Sequence, residues 1–125
     1  MTGQAGAYLW HIAQASELIA RFTAGRSFDD YPEDAMLRAA VERQFTIIGE
    51  ATVALRRVHP ALAASIPEVG SIIASRNILV HGYATVDDRV VWGIVERRLA
   101  PLRSTVEEMI RRIDESKAPE GTKIT

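Results

Sequence analysis

The chain has 125 residues, with fifteen basic and sixteen acidic side chains, three histidines and no cysteine, and a formal net charge of -1 at pH 7. That length suits one domain with a real apolar core. The absent cysteines exclude disulfide frameworks, thiolate catalysis and cysteine-ligated zinc, and the balanced charge excludes a uniformly basic nucleic-acid binder, so an anionic partner has to be met locally. No run approaches the eighteen or so apolar residues of a membrane span, and no basic stretch precedes an apolar one at the N-terminus, so a cytoplasmic location without a membrane partner is expected. Thirteen of the fifteen basic residues are arginine, the exceptions being Lys117 and Lys123.

Apolar residues recur at helical spacing almost throughout, which predicts an all-α fold: an antiparallel bundle of four main helices plus a short turn. Tyr8, Ile12, Ala15, Ile19 and Phe22 mark the first helix, with Gly25 as its stop. After the polar turn Ser27–Tyr31, Pro32 can open a long second helix, because its missing N–H would be unsatisfied there anyway. Leu37, Val41, Gln44, Ile48, Ala51, Leu55 and Val58 form that helix's stripe, and Pro60 closes it. Residues 61–65 allow one short turn. Pro67 then opens a third main helix through Val69, Ile72, Ile73, Arg76, Leu79 and Val80, with Gly82 placed to end it.

Thr85-Val86-Asp87-Asp88 has the form of a capping box that starts the last helix. Its stripe is Val91, Ile94, Leu99, Leu102, Val106, Met109 and Ile113, and Pro101 should kink it near Arg97 and Arg98. The domain is expected to span residues 1–117, followed by a disordered tail at 118–125 that is polar and rich in helix breakers.

The densest cluster of versatile side chains is Arg76-Asn77-Ile78-Leu79-Val80-His81-Gly82-Tyr83. Asn77 and His81, four apart, share a helical face, and Arg76 and Tyr83, seven apart, nearly align. A helix ending at Gly82 leaves unpaired carbonyls and partial negative charge near His81, which favours the imidazolium and suits proton transfer near neutral pH. An arginine beside it can hold a phosphate in its planar fork. Because RNA carries its own nucleophile in the 2′-hydroxyl, one base, one acid and one cation suffice to cleave it without a metal. One chain offers a single such histidine, and a two-fold dimer would bring two to one axis. Spacing alone equally allows a structural reading, in which Arg76 pairs with a carboxylate such as Glu50 and His81 satisfies its own helix end.

A wider set of residues accompanies this motif: Tyr8-Leu9-x-x-Ile12, Ile47-Ile48-Gly49-Glu50-Ala51, Arg76-Asn77-x-Leu79-x-His81-x-Tyr83, Val91-Trp92 and Leu99-Ala-Pro101-Leu102. Over about Tyr8 to Ile113 the chain resembles the HepT-like branch of the HEPN superfamily, helical toxins paired with minimal nucleotidyltransferases. The resemblance implies a metal-independent endoribonuclease toxin of a type VII toxin–antitoxin system, requiring no cofactor. Arg76 and His81 would occupy the catalytic Arg-x4-His positions across a homodimer, or a higher oligomer, with Asn77 in the supporting polar position and RNA as substrate. Tyr83 matches the family tyrosine to which the nucleotidyltransferase antitoxin attaches AMP. The chain departs from many relatives in carrying Val69 where they have tryptophan and Gly82 where they have an acidic or polar residue. An alternative from another class is a non-catalytic helical adaptor, or nucleotide-binding partner of a nucleotidyltransferase, in which Arg76 and His81 hold a nucleotide phosphate.

The remaining candidates favour structure. Glu50 on the long helix needs a cationic or hydrogen-bonding partner if buried, and Arg76 is one such partner. His11 and His59 lack further ligands at metal spacing. Trp10 and Trp92 are expected to serve as core or interface anchors. Arg97, Arg98, Arg111 and Arg112 interleave with Glu96, Glu107, Glu108, Asp114 and Glu115 as a solvated face.

Overall fold

The structure, a computed structural model, describes residues 2–67, 70–72 and 87–117. The fold is all-α. Five helices are bounded within these residues: α1 (Thr2–Thr23), α2 (Ala35–Val58), α3 (Pro60–Ala64), α4 (Asp88–Arg97) and α5 (Leu99–Lys117). Residues 70–72 are also helical and fall within the stretch where the sequence predicts a third main helix. The rest of that helix, and the 118–125 tail, lie outside the described residues.

α1 ends where the sequence expects, with Gly25 in the left-handed conformation at φ 74°. A side chain there would be strained, and glycine adopts the angle without a Cβ clash. The chain turns back through Ser27, whose N–H donates to the Asp30 carboxylate at 2.9 Å, and through Tyr31, whose N–H donates to the Phe28 carbonyl at 3.1 Å. α2 then starts at Ala35 rather than at Pro32. The Asp34 carboxylate accepts the Leu37 N–H at 3.0 Å and caps the helix, leaving Pro32 in the preceding turn. That bond, with Arg26 at 3.2 Å, holds the Asp34 carboxyl below the ordinary carboxylate range.

α2 ends at Val58. His59 serves both helix ends: its N–H donates to the Leu55 carbonyl at 2.7 Å, and its Nδ1 accepts the Leu62 N–H at 3.2 Å to cap α3. Pro60 therefore opens α3 instead of merely closing α2.

The start of α4 corrects the capping-box expectation. Asp87, not Thr85, is the cap, and its carboxylate accepts the Arg89 N–H at 2.8 Å. The kink expected near Arg97 and Arg98 is a full break between α4 and α5. Pro101 has no N–H to give the Arg97 carbonyl, and its ring crowds that oxygen. Arg98 caps α4 by donating its N–H to Ile94, and its own carbonyl accepts the Leu102 N–H at 3.1 Å to begin α5.

α1 packs against both α2 and α5, α3 folds onto α2, and α4 onto α5. Leu9, Ile12, Ile19, Val41, Leu55 and Val106 are completely buried. Each such side chain contributes roughly 1.5–3 kcal/mol on leaving water. The α2 stripe differs from expectation: Phe45, Gly49 and Thr52 are buried as well, Gln44 is half-buried and Val58 is exposed.

Candidate functional site

Arg76, Asn77, His81 and Tyr83 lie outside the described residues. What the structure does describe are the elements flanking that stretch: α2, residues 67 and 70–72 before it, and α4 after it. Glu50, also singled out from the sequence, stands on the exposed side of α2 and is not a free carboxylate. Gly49 beside it is buried.

A groove of about 350 Å³ opens between α2, residues Pro67, Ser71 and Ile72, and the α4–α5 elbow. Phe45, Ile48, Ile72, Ile94, Leu102 and Pro101 supply apolar surface, and Arg97 and Arg98 stand among its lining residues. Val90, more than half exposed, also lines it. Gly93 sits under Arg97: a Cβ at position 93 would lie 2.7 Å from the Arg97 Nη2 and 3.6 Å from its Cζ. The guanidinium is thus folded back over the α4 backbone. A second depression, also about 350 Å³, lies between α1 and the start of α5, where Thr23, Arg103, Ser104 and Glu107 meet. Its arginine is already paired, to Glu107 at 3.1 Å and to Glu17 at 3.9 Å.

Where the 27–34 turn meets α4, the rings of Tyr31 and Trp92 pack with centroids 5.3 Å apart. Both are buried, and among the described residues neither the Tyr31 hydroxyl nor the Trp92 Nε1 has a hydrogen-bond partner. Burial pushes the Tyr31 phenol well above its ordinary range, with Glu42 and Asp88 adding to the effect. Glu42 is itself raised, first by burial and then by the Asp88 charge, against the opposing pull of Arg38. The sequence reading placed Tyr31 in a polar turn. Its position before Pro32, as the one aromatic there besides Phe28, was the available sign that the turn is anchored inward.

The two tryptophans part company. Trp92 is a core residue as expected, but Trp10 is 53% exposed. It lies about 200° around the helix from Ile12, off the buried stripe, and its ring meets His11 edge-on at 5.4 Å. His59 is a helix cap, as described. Among the described residues, no group of three or more His, Asp or Glu side chains is placed to hold a metal ion. Likewise, no helix among them is long and apolar enough to cross a membrane.

The arginines expected to form a solvated face do so on α5. Arg112 meets Glu108 at 3.1 Å, and Arg111 pairs with the same carboxylate. Arg97 departs from this pattern, having no ion pair among the described residues. Gly93-x3-Arg97, four apart on one helical face, is the sequence sign of this arrangement.

The described residues form an all-helical bundle with an arginine-bearing groove beside the segment that runs into Arg-x4-His. The chain belongs to the ribonuclease HepT-like family, whose model matches residues 12–109. It is 34% identical over 106 residues to "Probable ribonuclease HepT" of Thermococcus cleftensis, covering 82% of this chain and 92% of that protein. It is 30% identical over 105 residues to "Putative RNase TTE0752" of Caldanaerobacter subterraneus subsp. tengcongensis, covering 84% and 93%. No solved structure matches the chain.

Proposed function

We propose that this chain is a metal-independent endoribonuclease toxin acting as a homodimer, within the helical domain of residues 1–117. The observation that carries the reading is the Arg76-x4-His81 motif, which falls inside the span matched by the HepT-like ribonuclease family. Relatives named as ribonucleases over nearly their whole length support it.

In this reading Arg76 grips the scissile phosphate and offsets the charge that builds on its oxygens. A neutral His81 takes the proton from the 2′-hydroxyl as that oxygen bonds to phosphorus. The protonated His81 of the second subunit gives its proton to the departing 5′-oxygen as the P–O5′ bond breaks. The products are a 2′,3′-cyclic phosphate and a 5′-hydroxyl. Asn77 positions these groups. Tyr83 is the point of control, where AMP attached by a nucleotidyltransferase antitoxin adds negative charge and bulk beside Arg76 and keeps RNA out. That pairing makes the chain the toxin of a type VII toxin–antitoxin system.

The test is cleavage of a labelled mixed-sequence RNA in EDTA by wild type and by His81→Ala, matched for helicity and oligomer size. Wild type is expected to leave 2′,3′-cyclic phosphate ends, and His81→Ala to lose at least about a hundredfold in rate. Equal activity in the two proteins would remove His81 from the mechanism. Absence of cleavage by wild type, with Tyr83 shown to be unmodified by mass spectrometry, would leave the nucleotidyltransferase adaptor as the function.

A further inference from the structure

We propose that the groove at the α4–α5 elbow is a nucleotide subsite, in which one base of an RNA chain lies on the apolar walls and an adjoining phosphate is held by Arg97. The inference rests on the ribonuclease reading and locates where the substrate is gripped away from the bond that breaks.

Three observations carry it. The first is charge. Among the described residues the groove is lined by Arg97 and Arg98 and by no carboxylate, and of the two arginines Arg98 already has a partner. The arginines of α5 are neutralised by neighbouring glutamates, whereas Arg97 has no ion pair among the described residues. The second is the way that charge is seated. Glycine weakens a helix interior relative to alanine, and at Gly93 in α4 the Arg97 Nη2, the free end of a flexible side chain, occupies the space that a Cβ would take. The missing side chain leaves room for the guanidinium against the α4 backbone, where Arg97 lines the groove while staying exposed. The third is shape and chemistry. About 350 Å³ is within the range of small-ligand sites, and Phe45, Ile72 and Pro101 offer the apolar surface on which a base can stack. A planar fork of donors beside such a surface matches a base and its phosphate, whereas an apolar protein segment would leave the guanidinium uncompensated.

Chain connectivity ties this groove to the motif. Ile72 precedes Arg76 by four residues, so their Cα atoms lie within about 14 Å whatever path the chain takes. A single strand can therefore engage both.

The experiment measures the binding of a fluorescein-labelled 2′-O-methyl RNA oligonucleotide, which lacks the nucleophile and stays intact, by anisotropy over a range of salt concentrations. Arg97→Gln is expected to weaken binding by about tenfold and to lower the salt slope by about one. Gly93→Ala keeps every charge and shifts only the flexible end of Arg97, so it should weaken binding by less than Arg97→Gln does while leaving helicity intact. Arg112→Gln, which removes a paired arginine on α5, should leave binding unchanged. In parallel cleavage of unmodified RNA, both groove variants should raise KM with little change in kcat. Wild-type binding and KM in both groove variants, alongside active cleavage, would overturn the subsite and leave the ribonuclease reading standing. An equal loss in Arg112→Gln would overturn it too, by showing a response to net charge alone. So would groove variants that change the oligomer mass but not RNA binding, because the groove would then be a protein contact. If wild type neither binds nor cleaves, both readings fall.

Discussion

The α1–α2 seam and the joint where α4 meets the 27–34 turn bury polar atoms in opposite ways. In the seam, every buried hydroxyl is satisfied by its own helix. Ser16 donates to the Ile12 carbonyl at 2.8 Å, Thr23 to Ile19 at 2.8 Å and Thr52 to Ile48 at 2.7 Å. Leu9, Ile12, Val41 and Leu55 of the same two helices are completely buried. At the α4 joint, Tyr31 and Trp92 fill the space well, but their hydroxyl and indole N–H are left without partners among the described residues. A buried polar group without a partner forfeits its hydration and regains nothing. Stability is therefore uneven: the seam holds the bundle together, and α4, which flanks both the groove and the motif segment, is attached at a cost.

The largest effect that would break this comparison lies in the seam. Leu55→Ala should lose about 2–5 kcal/mol, since a fully buried leucine leaves a cavity that its neighbours fill only in part. Val90→Ala, on the exposed lip of the groove, should change stability by no more than about 0.5 kcal/mol. Denaturant midpoints of the two variants, at equal slope, check the contrast. Comparable losses would mean that α4 is held as firmly as the seam.

Much of that seam is legible in the sequence, because a period of 3.6 is imposed by burial and survives any detail of capping. Leu37, Val41, Ile48, Ala51 and Leu55 are buried as their spacing predicts, as are Leu99, Leu102, Val106 and Met109. Helix starts are less legible, because several start signals compete within a few residues. Pro32 and Asp34 both suit the start of α2, and the carboxylate that can reach the Leu37 N–H decides. Asp87 likewise displaces Thr85 at α4. Features that need two elements at once were not readable in advance. Tyr31 is buried because α4 covers it, and the groove exists because Pro101 breaks the rod beside Gly93 and Arg97. Of the candidate site, the Arg-x4-His motif was legible through its family resemblance, and short spacing alone could not separate catalysis from structure.

The next largest effect sharpens the contrast at Tyr31 itself. Tyr31→Phe keeps the ring against Trp92 and removes the unpartnered hydroxyl, so it should raise stability by about 1 kcal/mol or leave it unchanged. The same variant should alter alkaline behaviour. Because the phenol's pKa is raised in the folded protein, wild-type stability should fall as pH climbs past the ordinary tyrosine value of about 10. Tyr31→Phe should lack that part of the decline in alkaline melts. A clear loss of stability at neutral pH would show that the hydroxyl is satisfied after all, and the two regions would no longer differ.

The smallest effect comes from Glu42, whose carboxylate faces the same joint. Its pKa is raised by burial and by Asp88, so the folded state holds its proton more tightly than the unfolded chain does. Stability from this group is full below the ordinary glutamate pKa of about 4.3 and is lost as pH rises through the raised value. Asp34 runs the other way: its depressed pKa supports the fold above the carboxylate range and is lost on acidification. Glu42→Gln should therefore remove the downward slope just above pH 4 while leaving the acid limb due to Asp34 in place. Glu42 is only partly buried, so solvent screening keeps the gain at neutral pH below about 1 kcal/mol. Thermal melts at pH 4, 5.5 and 7 resolve the change in slope even where the gain at a single pH is small. A slope identical to that of wild type would mean that Glu42 and Asp88 do not share the joint electrostatically, and the strain at α4 would then reside in the Tyr31–Trp92 pair alone.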